Sequence, residues 1–136
     1  MTADSNIDKL LMQLNGSHRN RKAFATASSD LAEIIWSGAI AEEQLIEWLK
    51  TGADGLRSTV AWAVWDIGGP QRALQHLMVC GASDSDSSVR LNSLRALVDY
   101  FPQSAERTKR ITVFLNDRDA GLRQNAQKAL EASTDV

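Results

Sequence analysis

Apolar residues recur along this chain with the three- and four-residue spacing of amphipathic helices, and no segment alternates apolar and polar residues as a half-buried strand does. The pattern predicts a first helix over residues 7–14, capped by Ser5 and stopped by Gly16. It predicts another over residues 42–50, stopped by Gly52. The fold class expected from the pattern is therefore all-α.

The two prolines and a glycine pair mark further helix boundaries. Gly68 and Gly69 are expected to end one helix, and Pro70 to open the next, which runs to Gly81. Pro102 is expected to open a later helix, because proline fits a first turn, where its missing N–H costs nothing. The apolar face of that helix would contain Ala105, Ile111, Phe114 and Leu115.

An internal repeat underlies the helical pattern. Arg57, Arg90 and Arg123 follow one another at intervals of 33 residues. Small or apolar residues recur three, six and seven positions after each arginine, and Ile67 and Tyr100 stand ten positions after the first two. These offsets share one helix face, which predicts the following core positions: Val60, Ser93, Ala126, Ala63, Ala96, Ala129, Val64, Leu97, Leu130, Ile67 and Tyr100.

The same frame extends backwards to an atypical first unit. Phe24 takes the place of the arginine there, and Ala27, Leu31 and Ile34 take the core positions, while His18 stands where later units have an aspartate. Terminal repeats are expected to differ, because one side has no neighbour. The sequence thus predicts a single domain, residues 1–136, of four two-helix units: ~5–36, ~37–69, ~70–101 and ~102–133.

Two motifs resemble a known repeat family. Asp84 and Asp117 each precede an arginine by six residues, and the patterns Ser93–Ala96–Leu97 and Ala126–Ala129–Leu130 follow. Together they resemble HEAT repeats, specifically the short HEAT-like repeats of phycobilisome lyases. The resemblance implies an α-α superhelix, a short solenoid of about four helical hairpins.

The resemblance also implies a structural role for the charged positions. In the family, the aspartate caps the second helix and meets arginines along the stack, which here gives a ladder of Arg57, Asp84, Arg90, Asp117 and Arg123. Two departures from the pattern lie in the second unit. Thr51 replaces the aspartate, and Trp65 stands where the lyase-like repeats favour glycine, so this unit is expected to do more than stack.

Four tryptophans lie close together in the sequence: Trp36, Trp48, Trp62 and Trp65. Trp48 is expected in the core and Trp36 at a helix end. At 100° per residue, Trp62 points nearly opposite to the core, and Trp65 points outward or to the flank. Either the two form a binding surface, or they pack on the first unit and on the neighbouring second helix.

If they bind, they belong to rows that run along the second helices. The candidate partner-binding residues are Thr59, Trp62, Trp65, Asp66, Asn92, Arg95, Asp99, Asn125 and Lys128. Aromatic residues flanked by arginine are typical of recognition surfaces. Arg95 and Lys128 favour a protein partner that offers an acidic group or a carboxylate.

Composition excludes several other functions. The net charge of −2 lacks the basic excess of a nucleic-acid binder, which argues against nucleic acid as a partner. No secretory signal or apolar run long enough for a membrane span is visible, so a cytoplasmic location is expected. Cys80, the only cysteine, is expected in the core. The start of a calcium loop at Asp84 lacks the required glycine and glutamate, where Val89 and Arg95 stand. No catalytic residue, metal ligand or cofactor is predicted.

The leading hypothesis is a non-enzymatic protein-binding module: an adaptor, a regulator or a small inhibitor of the immunity type. A second hypothesis is a nucleic-acid-binding or DNA-repair protein, since Trp62 and Asp66 with Arg95 and Lys128 are similar in kind to the tryptophans and aspartate of HEAT-like alkylpurine glycosylases. A third, a phycobilin lyase-like subunit or chaperone, depends on the repeat type alone.

Overall fold

The computed structural model describes residues 3–15 and 21–134, and all regular structure in these ranges is helical. The all-α prediction is therefore confirmed for this part of the chain. The eight α-helices are α1 Ala3–Asn15, α2 Arg21–Trp36, α3 Glu42–Thr51, α4 Asp54–Ile67, α5 Gln71–Cys80, α6 Ser87–Tyr100, α7 Ala105–Thr112 and α8 Ala120–Thr134. Two short 3₁₀ segments, Gly81–Ser83 and Val113–Asn116, follow α5 and α7.

The helices pack in a regular order. Each odd-numbered helix packs against the even-numbered helix that follows it, and α3 also packs against α5. The even-numbered helices pack on one another in chain order, α2 on α4, α4 on α6 and α6 on α8. Each predicted unit therefore contains one packed pair of helices, and successive pairs lie side by side.

The predicted core positions are buried in the interior units. Val60, Ser93 and Ala126 are all 0% exposed, whereas Ala129 and Leu130 of the last unit are half-buried. The prediction for the tenth position was wrong, because Ile67 is 48% and Tyr100 40% exposed. Both lie in the last turn of their helix, where they are covered only in part, Tyr100 by the end of α4.

The helix ends predicted at glycine residues were largely confirmed, whereas some of the predicted helix beginnings were wrong. Gly52 follows α3, and Gly68 ends α4 in the left-handed conformation, with φ 70°, which glycine adopts without strain. α1 begins at Ala3, so Ser5 lies inside the helix and is not its cap. Gly16 and His18 lie outside the described residues.

Neither proline is in a first turn. Pro70 is the N-cap residue of α5, one position before the helix. α7 begins only at Ala105, because the Ser104 hydroxyl accepts a hydrogen bond from the Arg107 N–H at 3.1 Å and caps the helix there. Pro102 lies outside the helix for this reason. Cys80, the last residue of α5, is exposed, so the prediction that it lies in the core was wrong.

Candidate functional site

The predicted ladder joins successive units. Arg57 donates from Nε and Nη2 to the two carboxylate oxygens of Asp84, at 3.0 and 2.9 Å. Arg90 donates in the same way to Asp117, at 2.9 and 3.3 Å. Each arginine therefore forms a bidentate pair, here called a rung, with the aspartate of the next unit.

The same arginines also bind the turn of their own unit. Nη1 of Arg57 donates to the Gly52 carbonyl at 2.8 Å, and Nη1 of Arg90 to the Asp84 carbonyl at 3.1 Å. Arg123 repeats this bond to the Asp117 carbonyl at 2.7 Å. One guanidinium thus holds its own interhelical turn and the next one together.

Each rung runs from an arginine to an aspartate of the following unit, which explains why the second unit has no aspartate at position 51. An aspartate at position 51 would serve an arginine at position 24, where Phe24 stands. Thr51 instead donates its hydroxyl to the Glu47 carbonyl at 2.9 Å. The departure at Thr51 therefore has a structural explanation, since no charge at position 24 requires a carboxylate.

The helix caps lie two residues after the positions expected from the resemblance. Asp86 accepts hydrogen bonds from the N–H groups of Ser88 and Val89, and Asp119 from those of Gly121 and Leu122. Asp84 and Asp117 accept from the N–H groups of Asp86 and Asp119, each at 2.8 Å. The sequence signal for these caps was the 33-residue interval between Asp86 and Asp119.

The two rungs differ in burial. The side chains of Arg90 and Asp117 are 5% and 6% exposed, and those of Arg57 and Asp84 are 12% and 14% exposed. The hydrogen bond to Asp84 raises the pKa of Arg57, against a smaller opposing effect of burial. Burial acts to raise the pKa of Asp117, but hydrogen bonds from Arg90 and the Asp119 N–H and the nearby positive charges outweigh it and lower that pKa.

Trp62 is half-buried and packs on the first unit. Its ring meets Trp36 edge to face, with centroids 5.4 Å apart and planes at 67°. The Trp36 Nε1 donates to the Ala63 carbonyl at 3.0 Å, which fixes the covering ring. Trp62 therefore packs against the core, and α2 supplies the neighbour of its ring.

Trp65 is half-buried and bridges α4 and α6. Its Nε1 donates to Oδ2 of Asp99 at 2.8 Å, and the Arg95 guanidinium lies 4.9 Å from its ring centroid. The Tyr100 hydroxyl donates to the Trp65 carbonyl at 2.8 Å. Three α6 side chains therefore hold the tryptophan that stands where the lyase-like repeats favour glycine.

Two candidate partner-binding residues are inside the protein. Thr59 is 2% exposed, and its hydroxyl donates to the Gly55 carbonyl at 2.8 Å and lies 2.8 Å from the Ser28 hydroxyl. Asn92 is 4% exposed and donates to the Ser88 carbonyl at 2.9 Å. The prediction that these two residues face a partner was wrong, because both side chains are buried. Asp66, Arg95, Asp99, Asn125 and Lys128 are exposed.

The exposed part of the candidate site also contains residues that the sequence did not single out for binding. Val98, 39% exposed, lies one period after Trp65, and Tyr100, 40% exposed, had been assigned to the core. Both could have been found from the repeat frame. We call the following set the α4–α6 surface: Trp62, Trp65, Arg95, Val98, Asp99 and Tyr100.

This surface has the groups for recognition: aromatic faces, apolar area, a guanidinium and a carboxylate. Among the described residues, no three or more His, Cys, Asp or Glu side chains are grouped as metal ligands would be. Within residues 3–15 and 21–134, no helix combines the length and apolar character needed to cross a membrane. Comparison with known protein families, curated proteins and solved structures finds no match to this chain.

Proposed function

We propose that the chain is a short HEAT-type solenoid that acts as a non-enzymatic protein-binding module through the α4–α6 surface. The solenoid part is supported by the rungs, which join the second unit to the third and the third to the fourth at a constant interval, and by the order in which the helix pairs pack. The binding part is supported by one observation. Trp65 and its α6 partners form a half-exposed aromatic cluster that the repeat does not require.

The cluster is suited to binding because it is already ordered. The hydrogen bonds of Trp65 to Asp99 and of Tyr100 to the Trp65 backbone hold these side chains in place before a partner arrives. A preorganised surface loses less conformational entropy on binding. Tryptophan, tyrosine and arginine are also the residues that most often dominate interface energies.

The charges suggest the chemistry of the partner. Arg95 and Lys128 occupy the same position in successive units and are both exposed. An acidic side chain or a terminal carboxylate of the partner would pair with them, while its apolar residues cover Val98 and Tyr100. The partner proposed is therefore a protein segment that combines apolar and acidic residues.

Two exposed valines provide a matched test. Val98 lies in the α4–α6 surface, and Val113, 57% exposed, lies outside it in the segment after α7. A protein that copurifies in a fixed ratio is titrated with the wild type, Val98→Glu and Val113→Glu. Val98→Glu should weaken binding at least about tenfold, and Val113→Glu should not.

Equal affinity of the two variants would contradict the proposed surface. Retention of duplex DNA by the wild type, with a steep loss as salt rises, would contradict the proposed class of partner. Melting curves of both variants control for folding, since both valines are exposed and neither change should alter stability much.

A further inference from the structure

One face of α8 occupies the same repeat positions as the faces by which α4 and α6 contact the following unit. In α4 this face contains Arg57, Ala61 and Trp65, spaced four residues apart. Arg57 binds Asp84, Ala61 is 0% exposed, and Trp65 binds Asp99 of α6. All three therefore lie on the side of α4 that faces the next unit.

The first two positions of this pattern recur one period later in α6, and all three counterparts in α8 are exposed in the described part of the chain. In α6, Arg90 binds Asp117 and Leu94 is 2% exposed. The corresponding residues of α8 are Arg123, Gln127 and Glu131, all exposed. We call these three residues the α8 stripe.

Apolar residues lie beside the α8 stripe. Leu115, 36% exposed, and the half-buried Leu130 line a shallow groove together with Gln127 and Glu131. The residues one period before Leu130 and Gln127 are Leu97 and Leu94, which are 1% and 2% exposed. The groove therefore lies where an inner unit receives its neighbour, although Gln127 makes it more polar.

The charges of the α8 stripe are complementary to those of a second α8 stripe that runs antiparallel to it. Arg123 and Glu131 lie on either side of Gln127, each about 6 Å from it along the helix axis. Two such helices packed antiparallel, with the Gln127 residues facing each other, place each Arg123 opposite a Glu131 of the other copy. No carboxylate of the described residues binds the guanidinium of Arg123, which donates to the Asp117 carbonyl.

We propose that two copies of this chain associate through their α8 stripes in a symmetric antiparallel dimer. Each Arg123 binds Glu131 of the other copy, as Arg57 and Arg90 bind carboxylates within the chain. Glu131 already accepts a hydrogen bond from Gln127 at 3.3 Å, and a carboxylate has room for more than one donor. The two grooves at Leu115 and Leu130 then close on each other.

Charge reversal tests this interface. Sedimentation equilibrium of the full chain over a wide concentration range should show an average mass rising from 14.9 kDa towards the dimer. Arg123→Glu and Glu131→Arg should each weaken dimerisation more than about tenfold, because like charges then face each other at both contacts. An equimolar mixture of the two variants should associate again, since every contact joins opposite charges.

A matched control lies on the same helix. Lys128→Glu changes an exposed α8 residue outside the α8 stripe and should leave the dimer unchanged. Arg123→Glu also loses the bond to the Asp117 carbonyl, so Glu131→Arg, an exposed position, keeps the test decisive if that variant folds poorly.

A wild type that stays monomeric at every concentration would overturn the proposal. So would a dimer that survives both reversals, or variants that fail to associate when mixed. None of these results bears on the α4–α6 surface, which is tested separately by Val98→Glu.

Discussion

Two networks join α4 to α6, and only one of them is repeated. The rung between Arg57 and Asp84 recurs 33 residues later as Arg90 with Asp117. The contact between Trp65 and Asp99 does not, because Val98 and Ala132 stand at the corresponding positions and cannot form its hydrogen bond. The repeated network joins successive helix pairs, whereas the unrepeated one gives the surface at α4 and α6 side-chain contacts that the repeat does not require.

The largest expected effect is the loss of the buried rung. Arg90→Ala should lower the free energy of unfolding by about 3 kcal/mol, because Asp117, 6% exposed, is left without its counter-ion and two turn carbonyls lose a donor. Urea unfolding measures this. Arg123→Ala is the control and should cost less than about 1 kcal/mol, since it removes one exposed hydrogen bond. Equal losses in the two variants would show that burial does not set the strength of the ladder.

The second-largest effect on stability is expected at Trp62, which lies outside the repeated ladder. Trp62→Ala should lower the free energy of unfolding by about 2 kcal/mol, less than for a fully buried tryptophan, because its ring is half-buried against Trp36. Trp62→Phe should retain most of the stability by keeping an aromatic contact. If Trp62→Ala melted like the wild type, the packing on α2 would contribute nothing, and Trp62 would be available entirely to a partner.

The smallest effect on stability is expected from protonation of Asp117 at acidic pH. The folded-state pKa of Asp117 is lowered, so its ionised form stabilises the fold above the ordinary carboxyl pKa, and this stabilisation is lost as the pH falls through the lower folded-state pKa. The wild type should therefore exceed Asp117→Asn in stability at neutral pH, and the difference should shrink below about pH 4. Thermal melts of both proteins across this range measure it. A difference independent of pH would mean that the charge of Asp117 contributes nothing.

The helices and most core positions could be predicted from the sequence, because a helix face repeats at a local, fixed spacing. The ladder residues followed from the interval between the arginines for the same reason. Exposure at helix ends could not be predicted, as Ile67 and Tyr100 show, since it depends on which other element covers the last turn.

The sequence by itself determined which residues recur and which face of a helix they share. Only the tertiary structure decided the contacts between units: that Arg57 binds the next aspartate, that Thr51 needs no charge because of Phe24, and that Trp36 covers Trp62. Helical spacing is a property of neighbouring residues, whereas these contacts join residues 26 or 27 positions apart and depend on how helix pairs pack against one another.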